Sequence, residues 1–526
     1  MEKTWLRNGG KLGIKESVTR AQLRVAQGEF LSPRIALQSI RVRHTPSVTM
    51  QHPMINTRRA KIVCTIGPAS RHPAVLRRII TAGMDVARLN FSHGTRPEHA
   101  TAVTAVNRAA AAAGKTVAIL ADLSGPKIRT GLMKGNKESI LHAGRRFTLV
   151  SGRVEGDEQR VGVSDPGFHK KVGRGDRILL SDGLIELKVD SVRGRNVSCI
   201  VVNGGTLGSR KGVNLPGVQW KRPALTSKDL ADLDYALKHG AGYIALSFVQ
   251  SARDVKAAKS VILRAGHTTP VIAKLEKPEA IEDLDNILDA ADGVMIARGD
   301  LGVEMGPEKV PVLQKKIIVR AHEHGLPVIT ATQMLESMTG NPRPTRAEAS
   351  DVANAVFDNT DALMLSAETS TGKYPVAAVA MMDSIVREAE ANYRDQAHAG
   401  IRRRTGIEET ICDSACNAVE ELDVKVMAIF TKSGTTARLI SIFRPRSPVC
   451  AFACDRQVLA RLPLLWGVTP VPIKPVRHVE ELSRRAEKCL LRADMVGKGD
   501  IIAVVAGTPL GRAGRTNFLK LLKIGG

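Results

Sequence analysis

The chain has 526 residues, 43% hydrophobic and 25% charged, which suits two to four folded domains and excludes disordered, collagen-like and disulfide-scaffold classes. Lys and Arg outnumber Asp and Glu by 77 to 52, and the resulting charge of +25 favours anionic partners, small phosphorylated metabolites among them. Aromatic residues are 3%, too few for a base-stacking surface, and no apolar run approaches the roughly 18 residues of a membrane span, so neither nucleic acid nor membrane is expected as a partner.

Residues 1–53 carry nine Lys/Arg against three Glu and lack helical or strand periodicity, so 1–56 read as a basic, poorly ordered N-terminal extension. From Arg58 short apolar runs recur, each followed by a helical pattern. They are Lys61–Pro68, Asp85–Gly94, Thr116–Gly125, Gly242–Val249, Pro270–Glu276, Gly293–Asp300, Pro327–Gln333 and Ala362–Thr369. Continuous apolar strands alternating with helices imply a parallel sheet covered on both faces, and eight such units close a (β/α)8 barrel over 57–125 and 222–395. Residues 126–221 are rich in Gly, Val and alternating strands such as Arg177–Leu180 and Ile185–Val189, with turns at Ser181-Asp182-Gly183 and Gly204-Gly205. They predict a small β domain inserted in a βα loop, a lid over the barrel mouth. A basic hinge, Arg394–Thr405, leads to an open α/β domain over 396–526, with strands at Val426–Thr431, Val449–Ala453, Val468–Val471 and Ile501–Val505. Seven cysteines without a CxxC pair read as core thiols in a reducing compartment, hence a cytoplasmic protein.

Polar residues cluster where the barrel strands end, the face on which such barrels carry their chemistry. Lys274 and Glu276 lie two apart and share a strand face, and Asp300 ends the next run. Two carboxylates with room for water make an oxygen site for Mg²⁺, completed by phosphate oxygens; the plain alternative is a structural Lys–Glu ion pair. Arg88, Asn90 and Ser92 alternate on another strand, the first suited to a phosphate and the others to a cation, with Asp122 next door and Ser247 and Thr332 at further strand ends. Together they describe a site for a phosphorylated anion. Gly240-Ala-Gly242-Tyr-Ile-Ala245 matches a dinucleotide-binding string, but a strand follows it where a helix is needed. No G-x-x-x-x-G-K-[ST] loop is present, so a nucleotide would bind by other means. In the last domain Thr431-Lys432-Ser433-Gly434-Thr435-Thr436 opens a helix, with Arg512 and Arg515 able to close over it, a second anion site unless the loop is a plain N-cap.

These segments resemble the pyruvate kinase family. The resemblance is carried by Lys61-Ile-Val-Cys-Thr-Ile-Gly-Pro-Ala-Ser70, Gly83-Met-Asp-Val-Ala-Arg-Leu-Asn-Phe-Ser-His-Gly94, Gly208-Ser-Arg-Lys-Gly-Val-Asn-Leu-Pro216 and Ile272-Ala-Lys-Leu-Glu276. It continues in Ile296-Ala-Arg-Gly-Asp-Leu-Gly302, Thr330-Ala-Thr-Gln-Met-Leu-Glu-Ser-Met338 and Pro344-Thr-Arg-Ala-Glu-Ala-Ser-Asp-Val-Ala-Asn354, covering about 57–526 in the family's order. It implies transfer of the phosphoryl group of phosphoenolpyruvate to ADP, giving ATP and pyruvate in glycolysis, by an allosteric homotetramer using Mg²⁺ or Mn²⁺. By position, Glu276 and Asp300 look like the divalent-metal ligands. Lys274 matches the residue that stabilises the enolate and passes the phosphoryl group, Arg88 and Arg129 those that grip phosphate, and Thr332 that on the route protonating C3. Ala297, Arg298 and Gly299 would hold the substrate carboxylate through their backbone. Asn90, Pro68, His93, Asp182 and Lys211 fall on the nucleotide side.

The third strand departs from the family's Asp-Thr-Lys-Gly-Pro-Glu-Ile-Arg, reading Asp122-Leu-Ser-Gly-Pro-Lys-Ile-Arg129. At the family's monovalent-cation site (Asn90, Ser92, Asp122, Leu123) a hydroxyl is missing, and the Lys127 ammonium stands where a carboxylate is usual, so activity without K⁺ is expected. A sugar monophosphate or AMP is the expected effector at Thr431–Thr436. The competing reading is a catalytically silent phosphometabolite sensor of the same fold.

Overall fold

The computed structural model describes residues 58–218, 223–392, 406–476, 478–510 and 515–525. The expected extension over 1–56 and the hinge Arg394–Thr405 lie outside the described residues. Eight parallel strands form a closed barrel: β1 (Lys61–Thr65), β2 (Val86–Asn90), β3 (Ala118–Asp122), β4 (Tyr243–Leu246), β5 (Val271–Leu275), β6 (Gly293–Ala297), β7 (Val328–Ala331) and β8 (Ala362–Leu365). They run in sequence order round the ring, and β1 pairs with β8 from Lys61↔Ala362 to Cys64↔Leu365. Each lies inside the apolar run that predicts it.

Strand alternation divides the side chains between two cores. Val63, Val86, Leu120, Ala245, Ile272, Met295, Ala331 and Met364 pack inside the barrel, while their neighbours pack outward against the helices. Leu464, from the C-terminal part of the chain, joins the interior cluster and stops the barrel floor.

Lys61 follows the same inward alternation as Val63, so its ammonium is buried at that floor, where Nζ donates to the carbonyl of Val468 at 2.8 Å. Burial is the main cause that lowers its pKa to about 8, with Asp85 opposing. A lysine titrating lower in the folded than in the unfolded chain opposes folding most below its folded pKa, and that opposition fades as pH rises from about 8 towards 10.5. It is on the order of 3 kcal/mol at neutral pH. Thermal midpoints of the wild type and of Lys61→Met are therefore expected to converge between pH 7 and 10, the wild type gaining; a constant gap would contradict this.

Between β3 and β4 a six-stranded sheet runs in the order Val213–Asn214, Arg177–Leu180, Ile185–Arg193, Asn196–Asn203, Arg146–Ser151, Arg160–Val163, over its own apolar core. Single bridges from Arg129 to Gly212 and from Thr130 to Val163 tie its two edges to one segment, curling it towards a small barrel. The expected turn is present, with Ser181, Asp182 and Gly183 all at positive φ.

The last sheet contains β9 (Val426–Phe430), β10 (Val449–Ala453), β11 (Val468–Pro472), β12 (Ile501–Ala506) and β13 (Phe518–Lys523), in the order β11-β10-β9-β12-β13. The first four match the expected strands. The antiparallel edge strand β13 went unread because neither of its faces is fully buried and Lys520 and Lys523 interrupt its apolar pattern.

Candidate active site

The inward alternation continues past the apolar layer and turns polar at the strands' carboxyl ends. Two residues beyond Val63, Val86, Leu120, Ala245 and Ile272 stand Thr65, Arg88, Asp122, Ser247 and Lys274, with Glu276 two further. All six are buried, Asp122 and Glu276 at 1% exposure. Charges so placed persist only if partnered, and they partner one another.

The Lys274 ammonium donates to Ser247 Oγ at 2.7 Å and lies 2.8 Å from Glu276 Oε1 and 3.2 Å from Asp122 Oδ1. Arg88 Nε donates to Asp122 Oδ2 at 2.7 Å and Nη1 to Thr65 Oγ1 at 2.9 Å. Burial alone would discharge Lys274, but Asp122 and Glu276 outweigh it and raise the pKa, so the ammonium stays charged at neutral pH. Burial alone would likewise raise the Asp122 pKa, yet Lys274 and Arg88 hold the carboxylate below its ordinary range. Glu276 goes the other way. Burial leads, Asp300 and Asp122 add to it, and its pKa is raised although Lys274 opposes. The Phe248 amide donates to Glu276 Oε2 at 2.9 Å and orients it.

Where the inserted sheet meets the barrel, Lys127 Nζ donates to Asp300 Oδ1 at 2.8 Å and lies 3.8 Å from Asp182 and 5.9 Å from the centre of the Phe248 ring. Despite burial, these carboxylates raise its pKa. Gly125, at the turn into the inserted sheet, has φ +64°, and a Cβ there would lie 2.8 Å from the Phe248 ring, so only glycine fits. Phe248, Thr332 and Gln333 also adopt positive φ, local strain of the kind concentrated at functional sites. Thr332 Oγ1 accepts the Gly299 amide at 2.8 Å, joining β7's end to the start of the helix Arg298–Met305.

Glu276 and Asp300 provide a two-carboxylate donor set, and each already attracts an ammonium, Lys274 and Lys127 respectively. Among the described residues no group of three or more His, Cys, Asp or Glu could hold a metal ion. That set fits Mg²⁺ or Mn²⁺, hard cations commonly held by one or two carboxylates plus substrate oxygens.

Other expected residues are placed less simply. The Arg298 guanidinium is engaged by Asp351 at 2.7 and 2.8 Å and by the Thr332 carbonyl at 2.8 Å, and the Gly299 amide is held by Thr332 Oγ1. Leu123 packs its side chain into the core between barrel and helices, and its carbonyl accepts from Ser247 Oγ. Asn90 Oδ1 accepts the Ser92 amide at 3.1 Å. Pro68, His93, Asp182 and Lys211 are exposed, and Arg129 is half-buried. Partial burial, then Arg129, Arg88 and Lys127, keep the His93 pKa below the usual imidazole value. Sequence reasoning gave Lys277 no role and missed Glu304 and Asn214. Glu304 Oε1 accepts from Lys277 Nζ at 2.6 Å and from Asn214 Nδ2 at 2.8 Å, tying the barrel to the inserted sheet. In the sequence only the extra charge of Lys277, directly after Glu276, pointed to it.

In the C-terminal sheet, Gly434 caps the helix Thr435–Ile442 at φ +93° and its amide donates to Thr431 Oγ1. The Thr436 hydroxyl meets that of Thr516 at 2.7 Å, so Arg515 belongs to the segment beside the loop; Arg512 lies outside the described residues.

Family models described as pyruvate kinase, barrel domain, and pyruvate kinase, alpha/beta domain, match residues 57–379 and 409–522. The chain belongs to the pyruvate kinase family. The pyruvate kinase of Mycobacterium tuberculosis is 44% identical over 472 residues, spanning 89% of this chain and 99% of that protein. That of Sporosarcina psychrophila is 43% identical over 475 residues, or 89% and 81%. The crystal structure of a pyruvate kinase from Cryptosporidium parvum superposes with a TM-score of 0.82 at 34% identity, covering 89% of this chain and 97% of the other. Members of the pyruvate kinase family are phosphotransferases, and so is this chain. No helix among the described residues is long and apolar enough to cross a membrane.

Proposed function

We propose that the protein transfers the phosphoryl group of phosphoenolpyruvate to ADP, forming pyruvate and ATP, and does so without K⁺. One observation carries the reading: a charged, buried Lys274 flanked by Asp122 and Glu276, beside Arg88, at the carboxyl end of the barrel. A divalent ion held by Glu276 and Asp300 would supply positive charge to the phosphate and enolate oxygens. Arg88 and Arg129 bind the phosphate. Lys274 follows the charge that develops on the transferred group and the enolate oxygen, so it stabilises the transition state more than the bound substrate. The Ala297–Gly299 backbone seats the carboxylate, and Thr332 holds the proton route towards C3. Asn90, Pro68, His93, Asp182 and Lys211 receive the nucleotide, while the inserted sheet keeps water from the phosphoryl group. We further propose a homotetramer, and a sugar monophosphate or AMP effector at Thr431–Thr436 with Arg515.

The test is pyruvate formation followed by a coupled assay. Pyruvate is expected only when ADP and a divalent cation are both present, and chelation with EDTA should stop turnover and Mg²⁺ restore it. Release without ADP would indicate a lyase or phosphatase, and binding of phosphoenolpyruvate without turnover a sensor.

A further inference from the structure

The inserted sheet hangs on a neck of two chain segments, Lys127–Thr130 going out and Lys211–Asn214 coming back. They hydrogen-bond to each other, the Thr130 amide to the Lys211 carbonyl at 2.8 Å and the Val213 amide to the Ile128 carbonyl at 3.0 Å, so the neck moves as one piece. One barrel helix, Arg298–Met305, meets both segments. Its Asp300 and Glu304 lie four apart and so share one face. Asp300 Oδ1 accepts from Lys127 Nζ of the outgoing segment at 2.8 Å, and Glu304 Oε1 accepts from Asn214 Nδ2 of the returning one, also at 2.8 Å. The Ser181–Gly183 turn rests on the same helix, since a Cβ on Gly183 would lie 3.6 Å from Val303.

The two contacts are not equivalent. Asp300 is a candidate metal ligand with 25% of its side chain exposed, so its hold on Lys127 is open to exchange. Glu304 and Asn214 are buried, at 8% and 5% exposure, and Lys277, two residues past β5, donates to the same Glu304 oxygen at 2.6 Å. A buried carboxylate needs such a counter-charge, and charge-assisted hydrogen bonds are short and directional. Lys277 thus fixes Glu304 from the barrel side, and Glu304 fixes Asn214 on the lid side. Asn214 pairs with Leu179, one strand away from the Ser181–Gly183 turn that carries Asp182. A shift at Asn214 therefore reaches the part of the lid that meets the barrel mouth.

We propose that Glu304 is a positioning residue: held by Lys277, it pins Asn214 and so sets the angle at which the inserted sheet covers the barrel mouth. This rests on the phosphotransfer reading above, and its consequence is the choice of acceptor. With the neck pinned, water is kept out and the phosphoryl group passes to ADP. With the neck loose, a water oxygen attacks instead, its new bond to phosphorus forming as the bond from phosphorus to the enolate oxygen breaks. Inorganic phosphate leaves with one of the water protons, and the other balances the proton that C3 of the enolate takes up to give pyruvate.

Asn214→Asp in the full-length protein tests it, because it sets a second carboxylate against Glu304 with almost no change of shape. Formation of ATP from phosphoenolpyruvate and ADP should fall about tenfold, the size of a coupling between touching polar groups. Inorganic phosphate released from phosphoenolpyruvate without ADP should rise above the wild-type level. Adding Glu304→Gln restores the hydrogen bond with donor and acceptor exchanged, and both rates should return to within about threefold of wild type. Asn214→Leu, which removes the bond without adding charge, should show the same change of partition more weakly. Melting midpoints control for folding. An unchanged phosphate-to-ATP ratio in both Asn214 variants, or a double variant that regains its melting midpoint but not the ratio, would overturn the proposal. A wild type that makes no ATP would instead overturn the phosphotransfer reading, and the positioning role with it.

Discussion

Lys274→Met is expected to lower kcat roughly 10²–10³-fold while leaving the affinity for phosphoenolpyruvate within a few-fold, as loss of one preorganised charge at an acyl- or phosphoryl-transfer site does. Lys274 lies within 3.2 Å of both Asp122 and Glu276, so its charge is fixed before substrate arrives and needs no reorganisation when the phosphoryl group moves. A second consequence separates this role from a packing role. Lys274 is the main influence that lowers the Glu276 pKa, against burial, Asp300 and Asp122. Without it the Glu276 carboxyl holds its proton to higher pH. As the ionised form is the one that binds a cation, the acid limb of the pH–rate profile should move upward in the residual activity. Steady-state kinetics across pH, with melting midpoints as a folding control, measure both. A variant within threefold of wild type, or one with an unmoved acid limb, would remove Lys274 from the chemistry.

If activity is K⁺-independent as proposed, Lys127→Glu is expected to make it K⁺-requiring. The Lys127 ammonium sits 2.8 Å from Asp300 and 3.8 Å from Asp182, and on the proposed reading this fixed charge stands in for a free monovalent cation. The wild type should be equally active in KCl and in tetramethylammonium chloride at equal ionic strength. The variant should fall about 10²-fold in tetramethylammonium, since it loses one positive charge and gains a negative one beside the metal ligands. KCl should restore part of that. Recovery stays incomplete because Leu123 offers a carbonyl but no hydroxyl. Many-fold stimulation of the wild type by KCl would show that Lys127 does not replace the ion.

Most of the site was legible before any coordinates because barrel strands keep a two-residue alternation. Arg88, Asp122 and Lys274 could be aimed inward from their spacing alone, and each lies two residues beyond an interior apolar side chain. Alternation says nothing about what a long side chain does beyond its Cβ. Arg298 stands in the segment the spacing singles out, yet its guanidinium turns to Asp351, 53 positions on. Glu304, Lys277 and Asn214 come from three separate elements and share no local pattern.

From residue order alone came the eight-stranded ring, the sheet inserted after its third strand, the α/β unit behind it and the polar strand ends, because apolar periodicity is a local property written into every segment. Tertiary packing alone decided which charges neutralise which: that Lys127 reaches Asp300 and that Lys61 is sealed under the barrel. Such pairings depend on a few ångströms between segments distant in sequence, and in a low-dielectric interior those few ångströms set the energy.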